Sequence, residues 1–161
     1  MTYLERIYRI EQQETKDKNK CLELFNSLFE TIKYEVPSDN RADLYVTATT
    51  KSNKTGIYAV EIKQRNCNLL DFADTIIQVD KYNYLKSLTG YTALYFVIFN
   101  DCVAVYNLDK VNKKSLVKRM QMMNKITIQS ADKDYKLVYG LTPNFAKIFI
   151  IDNDNNNANN K

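Results

Sequence analysis

Apolar positions along the chain follow two periods. Leu22, Phe25, Leu28, Phe29 and Ile32 recur every three or four residues. They predict an amphipathic helix, capped by Asn19 and running to about residue 34. Residues 1–17 are polar and charged with scattered aromatics, and predict only a short strand or a frayed helix. The chain turns extended at 34–36, and Pro37-Ser38-Asp39-Asn40 reads as a turn. Residues 43–48 and 57–63 read as strands, rich in β-branched and aromatic residues, around a hydrophilic turn at 51–55. Strand alternation puts Tyr58, Val60 and Ile62 on one face of the second strand and Glu61 and Lys63 on the other.

A second helix is predicted from 71 to about 88, burying Phe72, Ile76, Val79 and Leu85, with Gly90 as its left-handed stop. Residues 92–99 and 102–108 read as apolar strands around a tight Asn100-Asp101 hairpin. A third helix is predicted over 109–124, turning Leu116, Val117, Met120 and Met123 inward, with further strands at 125–130 and 135–139. This order predicts one α/β domain over 1–150, a mixed central sheet flanked by helices. Residues 151–161, nearly all Asn and Asp, predict a disordered tail.

Composition narrows the chemistry. With 45% apolar residues the chain can build a core. No apolar run is long enough to span a bilayer and no signal peptide opens the sequence, so a soluble, cytoplasmic protein is expected. Cys21, Cys67 and Cys102 are widely spaced and expected to be reduced. There is no histidine, which excludes a Ser-His-Asp triad, a Cys-His dyad and histidine-ligated zinc. Three glycines and no Gly-x-x-x-x-Gly-Lys loop argue against nucleotide cradling. Hydrolysis would have to rest on carboxylates, Lys, Tyr or a hard cation. A net charge of +4 is too small to argue for nucleic acid by itself, but Lys110, Lys113, Lys114, Lys118 and Arg119 cluster with no carboxylate after Asp109.

Glu61 and Lys63 sit on a strand otherwise suited to burial, where charge is costly without a task. Asp43, opening the neighbouring strand, brings a second carboxylate beside Glu61. Two carboxylates and a lysine converging at a strand end form a candidate site for divalent-metal hydrolysis. The plain alternative is a solvated strand face. Glu14-Thr15-Lys16 and Asp134-Tyr135-Lys136 share the Glu/Asp-x-Lys spacing but lack the upstream Asp and hairpin.

Asp43, the hairpin and Glu61-Ile62-Lys63 resemble the signature of the PD-(D/E)XK, or restriction-endonuclease-like, nuclease superfamily, over residues 18–108. Glu23 lies on the preceding helix, where that superfamily often aims a glutamate at the metal. The run Glu23-Leu24-Phe25, Leu28-Phe29-Glu30 and Tyr34-Glu35-Val36 looks like the opening of Holliday-junction-resolvase-like members. Gln78 and Tyr82, at i and i+4, resemble the Gln-x-x-x-Tyr element of RecB-like nucleases. Residues 81–85 and 95–101 are similar to small phage-encoded members.

The resemblance implies a restriction-endonuclease-like fold and a Mg²⁺-dependent DNA endonuclease, with Mn²⁺ able to substitute. Asp43, Glu61 and the Ile62 carbonyl would bind the metal, and Lys63 would orient and help deprotonate a water. Glu23 would hold a metal-bound water or a second ion, and Gln78 and Tyr82 would position Lys63 or the phosphate. Arg65, Lys113, Lys114, Lys118 and Arg119 are the candidate DNA contacts. A homodimer is compatible with the resemblance. Two other readings stay open: a nuclease-fold module that binds nucleic acid without cutting it, and a small phage or mobile-element protein that inhibits a host partner.

Overall fold

In the computed structural model, which describes residues 2–39, 41–126 and 129–151, the chain opens with a 26-residue helix, α1 (Tyr3–Leu28). Its start is a reciprocal cap. The Glu5 N–H donates to Thr2 Oγ1 at 3.2 Å, and the Thr2 N–H donates to the Glu5 carboxylate at 2.7 Å. Asn19 is therefore mid-helix rather than a cap. The first half of α1 is mostly exposed, and the polar run 11–20 separates its apolar residues Tyr3, Leu4, Ile7, Tyr8 and Ile10 from the stripe that resumes at Cys21, so periodicity does not join them into one helix. The helix ends at Leu28, and Ile32, which periodicity assigns to it, lies in a strand.

The elements that follow are β1 (Thr31–Glu35), β2 (Leu44–Thr49), β3 (Thr55–Gln64), β4 (Thr75–Gln78), α2 (Val79–Ser87), β5 (Thr92–Ile98), β6 (Cys102–Asn107), β7 (Val117–Ile126), β8 (Gln129–Leu141) and β9 (Ala146–Ile150). Six strands form one sheet in the order β1-β2-β3-β5-β6-β9, and β4-β8-β7 form a second. The β3–β5 pair is parallel and the other neighbours are antiparallel. A parallel pair needs a crossover, and β4 and α2 supply it. The strands expected around the central hairpin and around Asn100-Asp101 are present, within a few residues of their expected ends.

One face of the large sheet, with Leu44, Val46, Val60, Phe96 and Ile98, packs on Cys21 and Phe25 of α1. The other face, with Ala59, Tyr95, Val97 and Tyr106, packs on Val79, Tyr82 and Leu85 of α2 and on Ile77, Tyr139 and Leu141 of the small sheet. The described residues thus form a mixed α/β fold, with a mixed sheet and two α-helices. Its core strand β5 is buried on both sides, as its unbroken apolar run requires. Among the described residues no helix is long and apolar enough to cross a membrane.

One expected helix is shortened and another is replaced. The segment at 71–88 is helical only from Val79, because Ile76 and Ile77 pair with Gly140 and Tyr139 of β8. Phe72 is consequently 67% exposed rather than buried. The segment at 109–124 holds a short 3-10 turn, Lys113–Ser115, and then β7. Pairing with the 13-residue β8 overrides the helical tendency of its Lys and Met residues. Leu116 is buried as expected, but Val117 and Met120 face solvent. Of the strand expected at 125–130, the two ends belong to β7 and β8, while 127 and 128 lie outside the described residues, as does the tail from 152.

The small sheet is strapped across its middle strand. Arg119 on β7 donates from Nη1 and Nη2 to both oxygens of Asp74, just before β4, at 2.6 and 2.7 Å. The pair passes over Gly140 of β8, where a Cβ would lie 2.1 Å from Asp74 Oδ2 and 2.8 Å from Arg119 Nη1. Gly140→Ala should therefore cost about 1–3 kcal/mol in urea unfolding. In an Asp74→Ala background, where the closest clash is gone and the released Arg119 side chain can swing aside, the same change should cost much less.

Candidate active site at the end of β3

Asp43 stands immediately before β2, beside β3. Its N–H donates to the Val60 carbonyl at 2.9 Å, and its Oδ2 accepts the Ile62 N–H at 2.7 Å. These two bonds bracket Glu61 and fix the aspartate against it. Glu61 sits opposite Tyr95 of β5, and Lys63 opposite Val97. Asp43, Glu61, Ile62 and Lys63 together line a cavity of about 290 Å³. The three residues that sequence reading brings to one place do meet.

The burial is electrostatically uncomfortable. The Glu61 side chain is 16% exposed, and Lys81 Nζ lies 2.9 Å from its Oε2. That contact is close enough for charge attraction, yet Oε2 is buried and has no well-aligned hydrogen bond. Burial, and then the charge of Asp43, push the Glu61 carboxyl up to about 7, against the pull of Lys81 and Lys63. The Lys63 ammonium is pulled below its ordinary range by burial first and by Arg65 second, with Lys136 adding to the effect and Glu61 and Asp43 opposing it.

The far wall of the cavity belongs to α1, and includes Gln13, Glu14, Asp17 and Lys18. Gln13 Nε2 donates to Asp17 at 2.8 Å. Burial raises the Asp17 carboxyl, with Asp43 adding to the rise and Lys63 opposing it. The helix thus contributes an acid to the site, but it is not Glu23, which is exposed and not part of the cavity wall. Six residues on from Asp17 lie about 9 Å further along and about 240° round a helix, which turns Glu23 away.

The expected Gln78 and Tyr82 pair is split. Gln78 ends β4 and borders a smaller cavity, about 60 Å³, shared with Glu61, Lys63, Arg65, Lys81 and Met123. Tyr82 is 2% exposed and packs edge-on against Tyr139, ring centres 5.0 Å apart, inside the core. Because α2 starts only at Val79, the inward position goes to Tyr82 and the site-facing one to Lys81. Lys81 Nζ also donates to the Arg41 carbonyl at 2.8 Å. Lys81 and Asp17 are the residues that sequence reading missed. The Thr2–Glu5 cap and the Gln13/Asp17 spacing were the available signals for the second.

The expected DNA contacts do not form one basic helix face, since no helix exists there. Arg119 is occupied by Asp74. Lys113 lies 5.9 Å from the ring centres of both Tyr82 and Tyr139. Lys114 and Lys118 are exposed, and Arg65 Nη2 donates to the Ile76 carbonyl at 3.1 Å beside the site.

The donor set suits a hard cation. Such ions take carboxylate, carbonyl and water oxygens. Asp43, Glu61 and the Ile62 carbonyl offer these, with Lys81 holding Glu61 Oε2 at 2.9 Å. Among the described residues no three Asp, Glu, Cys or His side chains gather closely enough to hold a metal alone, so main-chain or water oxygen would complete the shell.

The raised Glu61 fixes a sign. Its proton is held more tightly in the folded state than at the ordinary value of 4.5. Its contribution to stability is full below that value and is lost as pH rises through about 7. In EDTA, wild type should lose up to about 3 kcal/mol relative to Glu61→Gln between pH 4.5 and 8, read by denaturant midpoints. Comparison of the chain with protein-family models, with curated proteins and with solved structures gives no match.

Proposed function

We propose that the protein is a Mg²⁺-dependent deoxyribonuclease of the restriction-endonuclease-like kind, cutting phosphodiester bonds within DNA. The observation that carries this reading is the hydrogen bond from the Ile62 N–H to Asp43, which draws two carboxylates and a lysine around one cavity. Asp43, Glu61 and the Ile62 carbonyl would hold the Mg²⁺, or Mn²⁺ in its place. When bound, the ion supplies Lewis-acid stabilisation of charge developing on the phosphate.

The chain's own residues do the rest. Lys63 orients the attacking water at Nζ, and burial lowers its proton affinity toward the range useful for proton exchange. Asp17 accepts a hydrogen bond from water on the α1 side of the cavity. Lys81 restrains the Glu61 carboxylate, and Gln78 borders Lys63 from the β4 side. Arg65, beside the site, and the exposed Lys114 and Lys118 are cations that would meet phosphate, so DNA affinity should fall with salt. The products would be a 5′-phosphate and a 3′-hydroxyl.

Plasmid nicking in Mg²⁺, Mn²⁺ and EDTA tests the reading. Asp43→Asn and Lys63→Ala should abolish metal-dependent cutting while leaving melting close to wild type. Asp17→Asn should slow cutting at least tenfold, and Glu23→Gln should leave it unchanged. Wild-type rates in Asp43→Asn or Lys63→Ala would end the proposal.

A further inference from the structure

A second cavity, about 520 Å³, lies next to the candidate active site. It shares Arg65 and Ile76 with the small cavity that touches Glu61 and Lys63. Its size falls in the ordinary range of small-ligand sites. The wall carries Phe72, Phe99, Gln121, the Arg65 guanidinium and the paired Arg119 and Asp74, so Arg65 is the cation not neutralised by a carboxylate within that wall. The Thr75 hydroxyl lies in the same wall, buried and without a hydrogen-bond partner.

Phe72 is the feature that the fold does not explain. It is largely exposed, yet its loop is braced. Asn68 N–H donates to Asp71 at 2.7 Å, Leu69 N–H to Asp101 at 3.0 Å, and Asn100 N–H to the Cys67 carbonyl at 3.0 Å. An aromatic ring held in water on a pinned loop loses little freedom on binding. Aromatic faces beside cationic groups take nucleic-acid bases by stacking, without needing a particular sequence.

We propose that this cavity is a nucleobase subsite. It receives one unpaired base of the DNA strand lying across Glu61 and Lys63, with the ring against Phe72, the base edge at Gln121 and the backbone beside Arg65. This rests on the nuclease reading above and narrows it. The substrate is DNA with at least one unpaired nucleotide next to the scissile phosphate, as in a single strand, flap or branch.

The test is fluorescence anisotropy with a labelled single-stranded oligonucleotide in EDTA, alongside the same backbone made abasic and a blunt duplex. Phe72→Ala should weaken single-strand binding about 5- to 100-fold. Phe72→Trp should restore it, and melting of both variants should match wild type because the ring is exposed. The abasic strand should bind wild type and Phe72→Ala alike. Unchanged single-strand affinity in Phe72→Ala, or an equal loss on blunt duplex, would overturn the subsite. Were wild type still to nick DNA in either case, the nuclease reading would survive it. A wild-type protein that neither binds nor cuts DNA would remove both.

Discussion

One hydrogen bond, from the main chain of Ile62 to the Asp43 carboxylate, holds the site region together. Bonds from neutral N–H groups to a carboxylate are stronger than neutral ones, and contribute about 1.5–3 kcal/mol. Here the bond also sets geometry. It ties the start of β2 to the far end of β3, closing the hairpin around Glu61. Without it the bond from the Asp43 N–H to the Val60 carbonyl would still hold the backbone, but the carboxylate would no longer be fixed beside Glu61.

That closure has an electrostatic cost. Glu61 sits partly beneath Lys81 with one oxygen inadequately bonded, and Lys63 lies between Arg65 and the two acids. A strand built for stability alone would carry apolar residues there, as β5 does alongside. Local discomfort of this kind is concentrated where three elements converge, namely α1, β3 and α2. It is compensated by two apolar clusters, one on each face of the large sheet.

The legible part of the structure was the part encoded locally. β2, β3, β5 and β6 alternate or run apolar with turn residues between them, and Asp43 and Glu61-Ile62-Lys63 keep their spacing whatever surrounds them. The first half of α1 is hard to read because the polar run 11–20 breaks the apolar periodicity between Ile10 and Cys21. The extended apolar stripe directs attention to Glu23, whereas the acids of α1 that line the cavity are Glu14 and Asp17. β7 was hidden because its strand state comes from β8, a partner more than ten residues away in sequence for most of its pairs. Tyr82 looked like a site residue by spacing, but the late start of α2 rotates it into the core and brings Lys81 forward.

The parallel pairing of β3 with β5 has a consequence for how the molecule is made. Glu61 and Lys63 gain their neighbours Tyr95 and Val97 only after the β4–α2 crossover has been laid down. Such long-range pairings are slow, because the intervening chain must be ordered first. A ribosome-bound chain ending before residue 95 carries Glu61 and Lys63 in water, with ordinary proton affinities. The displaced proton affinities of Glu61 and Lys63 are therefore a property of the finished topology, set only when distant strands have come together around them.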